Sequence, residues 1–209
     1  MERLLQYARD DRVVAIGETG LDFYRNLSPH DRQQEAFIAQ LEVARQVNKP
    51  VIIHDRDAHA ETMTILRDKG RNWRGVLHCF SGDREMALEA MRMGFYISFA
   101  GPVTFQNAHR LQELARELPL ERMLIETDCP YLAPHPHRGQ RNEPAHVRWV
   151  AARIAALREL PVERVAEVTT ENARQLFGLP TYPIKAGRRS PPGVKTQRGS
   201  TGSEGQSGK

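Results

Sequence analysis

The sequence contains few cysteines and no long apolar run. Of its 209 residues only Cys79 and Cys129 are cysteines, and two widely separated cysteines do not form a disulfide framework. A reducing cytoplasm is therefore the expected compartment. No apolar stretch approaches the length that crosses a bilayer, so no membrane partner is expected. The opening residues, MERLLQYARDDR, lack the apolar segment of a secretory signal, and export is not expected.

The net charge of +4 comes from the C-terminal residues. Residues 183–209 hold six Lys or Arg and one Glu, which leaves 24 basic and 25 acidic residues in 1–182. The basic pI therefore does not by itself indicate a nucleic-acid-binding domain. From Pro180 onward Gly, Ser, Pro, Lys and Arg dominate, and such a composition buries too little apolar surface to fold alone. We expect one folded domain over residues 1–179 and a disordered basic tail over 180–209.

Short apolar segments and amphipathic segments alternate along the first 179 residues. We expect strands at 13–16, 51–53, 76–77, 95–101 and 123–125, and helices at 30–47, 58–69, 83–93, 107–118, 144–159 and 162–177. Strict alternation with short connections is typical of a parallel sheet with helical crossovers. Gly178 is the expected cap at the end of the last helix. The pattern predicts an α/β fold.

A side chain of metal-ligand type follows four of the apolar segments, at or just past their ends. These side chains are Glu18, His54, His78 and Asp128. Parallel α/β barrels build their sites at the C-terminal ends of their strands. Two imidazoles and two carboxylates that meet there form a plausible donor set for divalent metal ions. The sequence thus predicts a metal centre at one end of the sheet.

Seven segments of the chain closely resemble the TatD family of metal-dependent deoxyribonucleases. They are IGETGLDFYR (16–25), VIIHDRDA (51–58), LHCFSG (77–82), FYISFAGPVTF (95–105), LIETDCPYLAP (124–134), HRGQRNEPAHV (137–147) and TTENARQLFGL (169–179). The resemblance implies a (β/α)8 TIM barrel and metal-dependent hydrolysis of phosphodiester bonds in DNA. Family members begin with a strand that ends in His-x-His-x-Asp, and residues 1–12 do not match it. The expected fold is therefore an N-terminally truncated barrel with about five of the eight strands.

The resemblance also implies roles for the four ligand-type residues. Glu18 is expected to bridge metals, His54 and His78 to bind them, and Asp128 to bind metal or to position the attacking water. Glu18 and Asp128 are therefore the expected catalytic residues. Mg²⁺ or Mn²⁺ suits phosphoryl oxygens, whereas the histidines equally accept Zn²⁺. One or two ions per chain are expected in an intact site.

Neighbouring polar residues are candidates for supporting roles. The run Asp55–Asp57 is expected to orient the ring of His54 or to meet phosphate, whereas Glu126 is expected to face away or to pair structurally. Five residues are expected to contact the substrate: Arg56, Ser81 through the backbone beside it, Arg138, Arg141 and Asn142. Four aromatic residues are candidates for base stacking or for core packing: Phe23, Tyr24, Phe99 and Phe105.

Three functions remain open from the sequence. The first is hydrolysis of DNA, at ends or in single strands, by metal-activated water. The second is hydrolysis of another ester or an amide, such as deacylation of aminoacyl-tRNA. The third is a catalytically impaired remnant, because an incomplete barrel leaves sheet edges and apolar faces exposed. DNA is the expected partner under the first function.

Overall fold

The computed structural model describes residues 1–69 and 73–180. Within these ranges the strands are β1 (Ile16–Asp22), β2 (Val51–Arg56), β3 (Gly75–Leu77), β4 (Phe95–Phe99) and β5 (Met123–Ile125). The α-helices are α1 (Glu2–Ala8), α2 (His30–Gln46), α3 (His59–Asp68), α4 (Arg84–Met93), α5 (His109–Glu117), α6 (Val147–Arg158) and α7 (Val162–Phe177). Short 3-10 turns lie at Gly101–Thr104, Leu120–Arg122 and Pro144–His146.

The five strands form one parallel sheet whose spatial order follows the chain, from β1 at one edge to β5 at the other. A helix lies between each pair of consecutive strands, as parallel neighbours require. This arrangement confirms the predicted α/β class and the five strands of a partial barrel. Nearly all of the expected basic tail (180–209) lies outside the described residues, so that part of the domain division stays a prediction.

The first strand differs from its prediction. The sequence predicted a strand over residues 13–16, but β1 begins at Ile16, runs to Asp22 and contains Glu18, so the predicted and observed strands share one residue. Gly20 makes this possible, because its φ of +146° is a conformation that other residues rarely adopt. The register of β1 against β2 also shifts between Ile16 and Thr19. A glycine-rich sequence can therefore belong to an irregular strand as well as to a turn.

The helix boundaries agree with the predictions to within a few residues, and caps account for several of them. Asp83 precedes α4, and its side chain accepts a hydrogen bond from the backbone N–H of Met86 at 2.9 Å. Gly94 and Gly178 end α4 and α7 in the left-handed conformation, which confirms the predicted cap at Gly178. Helix α1 was not predicted. None of the helices in the described ranges is long and apolar enough to cross a bilayer.

The two faces of the sheet carry different layers. One face packs against the helices through buried residues that include Ile53, Leu77, Ile97 and Met123. Alternate residues point to the opposite face, where an apolar row (Ile52, Val76, Tyr96 and Leu124) packs against residues of α7. Two residues farther along each of these segments come His54, His78, Ser98 and Glu126. A polar layer therefore lies on the same face as the apolar row, toward the C-terminal ends of the strands.

Candidate metal centre

Three of the four predicted ligands converge at the C-terminal end of the sheet. Glu18 Oε1 lies 3.1 Å from His54 Nδ1, and Glu18 Oε2 lies 3.4 Å from His78 Nε2. The two ring nitrogens are 3.1 Å apart. One ligand atom from each residue lies within 4.8 Å of the other two. Two imidazole nitrogens and a carboxylate oxygen so arranged are a donor set that fits a divalent cation.

The other nitrogen of each histidine ring faces a carboxylate. His54 Nε2 is 3.2 Å from Asp22 Oδ2, and His78 Nδ1 is 3.3 Å from Glu126 Oε1. A carboxylate on the far side of a metal-binding histidine fixes its tautomer and ring orientation. Both rings therefore present a defined nitrogen to the space beside Glu18, which is a second reason why these residues suit a metal.

The carboxylates that orient the rings are not those expected from the sequence. Asp55 accepts from His59 Nδ1 at 2.8 Å, so Asp22 rather than the 55–57 run contacts His54. Glu18 and Asp22 lie four residues apart on one strand, a spacing that places both on the same face. That spacing was the signal in the sequence that would have identified Asp22.

Glu126 faces the site and pairs with neighbouring groups there, so of its two expected placements the structural pairing is observed and the outward orientation is not. Its Oε1 accepts from the backbone N–H of Cys79 at 2.8 Å, and its Oε2 accepts from the hydroxyl of Ser98 at 2.5 Å. Cys79 has a φ of +44°, a conformation uncommon outside glycine, and its N–H donates to the carboxylate in that conformation. Glu126 thus has a fixed position from which it orients His78.

The charges of the site shift its pKa values in a consistent way. Hydrogen bonds from His54 and His78 hold the pKa of Glu18 well below its usual range. The hydrogen bond to Glu18 raises the pKa of His54 against the opposing effect of burial. Burial also lowers the pKa of His78, but its contacts with Glu126 and Glu18 outweigh burial and raise it to about 10. Without metal the site therefore holds protons that a cation must displace.

Asp128 lies in the same cleft but outside the three-residue group. Burial raises the pKa of its carboxyl, and the charges of Glu126 and Glu18 add to this effect against that of His78. Asp128 adopts a left-handed backbone conformation, with a φ of +57°. The structure therefore brings three of the four expected ligands together and places the fourth as a separate carboxylate that faces the same space.

The expected substrate-binding residues divide into two groups. Arg56 and Ser81 line the cleft, whose volume is about 660 Å³. Arg138 lies over the ring of Phe105, with 4.4 Å from its Cζ to the ring centroid. Arg138 and Arg141 are exposed on the 137–142 loop, and among the described residues neither is part of the cleft lining.

Asn142 cannot serve as the substrate contact expected from the sequence, because its side chain is buried and fully used. It is 2% exposed. Its amide donates to the carbonyls of Thr127 at 2.7 Å and Tyr131 at 2.6 Å, and its Oδ1 accepts from the backbone N–H of Glu143 at 2.9 Å. Asn142 therefore holds the segment that carries Asp128, a backbone-bonding role common for asparagine in turns.

The four aromatic candidates for base stacking differ in exposure. Phe99 is 1% exposed and belongs to the core. Phe23 stacks on the ring of His30, with 3.6 Å between the ring centroids. Phe105 is half-buried and lies under Arg138. Of the four candidates, Tyr24 is the exposed residue, with 64% of its surface accessible, and Arg56 lies over one face of its ring.

Comparison with known proteins agrees with this geometry. The family model described as TatD related DNase matches residues 1–178. A Bacillus subtilis (strain 168) relative, named Uncharacterized metal-dependent hydrolase YabD, is 52% identical over 170 residues, covering 81% of this chain and 67% of the relative. A Shigella flexneri serotype 5b relative, named 3'-5' ssDNA/RNA exonuclease TatD, is 42% identical over 184 residues, covering 85% and 71%.

A solved structure shares the fold. The crystal structure of YJJV, a TatD homologue from Escherichia coli K12, superposes with a TM-score of 0.78 at 32% identity, covering 86% of this chain and 70% of that one. A family model that matches most of the chain, a relative with half of its aligned residues identical and a shared fold agree with one another. The chain belongs to the TatD family of metal-dependent hydrolases.

Proposed function

We propose that this chain hydrolyses phosphodiester bonds in DNA, at ends or in single strands, with the help of a divalent cation. The observation that carries the proposal is the convergence of Glu18, His54 and His78 beside an open cleft. The exonuclease name of the Shigella relative supports the choice of substrate. The proposed setting is the cytoplasm, which agrees with the two free cysteines.

Glu18, His54 and His78 would hold one cation. Mg²⁺ or Mn²⁺ is favoured by the phosphoryl oxygens of the substrate and by Glu18, whereas Zn²⁺ suits the two imidazoles equally well. A bound divalent cation supplies Lewis acidity and lowers the pKa of water, so that a nucleophile is available near neutral pH. Asp22 and Glu126 maintain the ring orientations that this binding requires.

Two further residues of the cleft have defined tasks in the proposal. The Asp128 carboxylate accepts the proton of the attacking water, and its raised pKa brings it nearer to neutral, where a general base is most effective. Arg56 contacts a non-bridging phosphate oxygen, because its guanidinium lines the same cleft and matches phosphate geometry. A proton acceptor and a phosphate contact therefore line the same cleft as the three-residue group.

The test uses the purified 209-residue chain, freed of metal with a chelator and reloaded with Mg²⁺, Mn²⁺ or Zn²⁺. We expect calorimetry to show one ion per chain and a labelled single-stranded oligonucleotide to be cleaved only after reloading. The Asp128→Asn variant should retain metal and lose activity by about 100- to 10,000-fold. The matched control is Glu89→Gln, which removes an acid that pairs with Arg67 on the helices.

Two outcomes would reject the proposal in different ways. Release of an amino acid from charged tRNA, without cleavage of DNA, would assign the ester or amide hydrolase function instead. Stoichiometric metal binding without hydrolysis of either substrate would identify the chain as an impaired remnant.

A further inference from the structure

Four exposed apolar side chains lie in the cleft lining or beside it. Tyr24 and Leu27 follow β1, and Tyr131 and Leu132 follow β5. Tyr24 is 64% exposed and Tyr131 is 59% exposed. Leu27, Tyr131 and Leu132 line the cleft that contains the candidate metal centre. Grouped exposed apolar side chains beside a polar site are typical of a binding surface.

An arginine lies over each of the two tyrosine rings. The Cζ of Arg56 is 3.8 Å from the centroid of Tyr24, and the Cζ of Arg25 is 5.8 Å from the centroid of Tyr131. Arg25 follows β1 and Tyr131 follows β5, so their contact joins loops from the two edge strands of the sheet. Cation–π contact orders both partners of each pair.

The two guanidinium groups keep their hydrogen-bonding capacity. Within residues 1–69 and 73–180, neither Arg25 nor Arg56 forms an ion pair with a carboxylate within 4.0 Å. The cleft also has acidic residues in its lining, among them Glu18 and Asp128. Because residues 1–182 are nearly neutral overall, affinity for a polyanion must come from local cations such as these two arginines.

We propose that the Tyr24–Arg56 and Arg25–Tyr131 pairs are two nucleotide subsites that select single-stranded DNA. In each subsite an unpaired base stacks on the face of the tyrosine ring opposite the guanidinium, and the guanidinium contacts an adjacent phosphate. Base pairs inside a duplex are stacked on both faces and offer no free ring face, so the interior of a duplex does not use these subsites. Stacking is available to every base, so the selection is for single strands and is tolerant of sequence. This inference rests on the proposed function and specifies its substrate.

The test compares ring-removing variants with a matched control. Tyr24→Leu and Tyr131→Leu keep apolar bulk and remove the ring, whereas Tyr24→Phe keeps the ring. The control is Tyr7→Leu, because Tyr7 is also exposed and also lies under an arginine, Arg3, but on α1 and outside the cleft lining.

Steady-state kinetics are measured with a decamer of thymidylate and with methyl p-nitrophenyl phosphate, which carries no base. We expect Tyr24→Leu and Tyr131→Leu each to raise the KM for the decamer roughly tenfold or more. The ratio of kcat/KM for the decamer to that for the small diester should fall by the same factor. Tyr24→Phe and Tyr7→Leu should keep the ratio of the unchanged chain.

The outcomes separate the inference from the function on which it rests. If the variant that carries both Tyr24→Leu and Tyr131→Leu cleaves the decamer with an unaltered KM, the subsites are overturned and the proposed function is left intact. The same holds if Tyr7→Leu raises the KM for the decamer as much as the other leucine variants do. If the unchanged chain cleaves neither substrate, the proposed function fails. Fluorescence anisotropy of a labelled decamer with the metal-free protein then decides, since loss of binding in the double variant supports the subsites and unaltered binding overturns them.

Discussion

Replacing Gly20 by alanine should destabilise the fold and damage the candidate metal centre together. Gly20 pairs with His54 across β1 and β2. A Cβ built on Gly20 would lie 1.9 Å from the carbonyl oxygen of His54, and the φ of Gly20 is +146°. Real Cβ contacts under 3.0 Å essentially do not occur, so the strands would have to separate by about 1.1 Å at that point.

The expected loss of stability has two parts. An alanine in this backbone region costs about 1–3 kcal/mol. The hydrogen bond from the Phe23 N–H to the Arg56 carbonyl, 2.9 Å long, would be stretched beyond bonding distance by such a shift, at a further cost of about 0.5–1.5 kcal/mol. The free energy of unfolding should therefore fall by about 2–4 kcal/mol, which corresponds to roughly 5–15 °C in Tm for a chain of this size.

The assay combines thermal unfolding by circular dichroism with calorimetric titration of metal. Gly139→Ala is the control, because Gly139 also has a positive φ, +86°, but nothing lies within 4 Å of its added Cβ. We expect Gly20→Ala to weaken metal binding and Gly139→Ala to leave it unaltered. Equal Tm values and equal metal affinities for the two variants would refute the argument that β1 approaches β2 too closely for a side chain.

Three further predictions concern the polar layer and the loop after β5. Glu126→Gln should lower metal affinity about 10- to 100-fold, measured by competition with a chromogenic chelator, because it removes the carboxylate that orients His78. Asn142→Ala should lower the free energy of unfolding in urea by about 1–3 kcal/mol, because the carbonyls of Thr127 and Tyr131 lose their donor. Metal uptake near pH 8 should release protons, since the pKa of His78 without metal is about 10. Calorimetry in buffers with different ionisation enthalpies measures that release.

Each of these has a contrary result. Unaltered chelator competition in Glu126→Gln, with Glu89→Gln as the reference, would remove Glu126 from the metal centre. Native stability of Asn142→Ala would show that the two carbonyls have other partners. A binding heat independent of the buffer would mean that His78 is already neutral.

In the metal-free protein, protonated His78 stabilises the fold below pH 6.5, and this contribution is lost as the pH rises through about 10.

The sequence predicted most of the helices and strands but only part of the candidate metal centre. Alternating apolar and amphipathic segments predict the strands and helices, since each buries one face or stripe. The contacts of Glu126 were missed because they depend on which strands are neighbours and in what register, and those of Asn142 because they depend on how the loop after β5 folds back on itself. His78 and Glu126 are 48 residues apart in sequence, and local patterns carry no information about such a pair.

The segment after β5 links the position of the Asp128 carboxylate to the position of the Tyr131 ring. Asn142 bonds the carbonyls of Thr127 and Tyr131, and Asp128 lies between them. The acidic group that faces the reaction space and the aromatic ring at the entrance thus share one short, doubly anchored stretch of backbone. An insertion or a new turn that moved the ring would also move the carboxylate. Diversification of substrate choice in this lineage should therefore proceed by exchange of side chains here and by changes of length elsewhere.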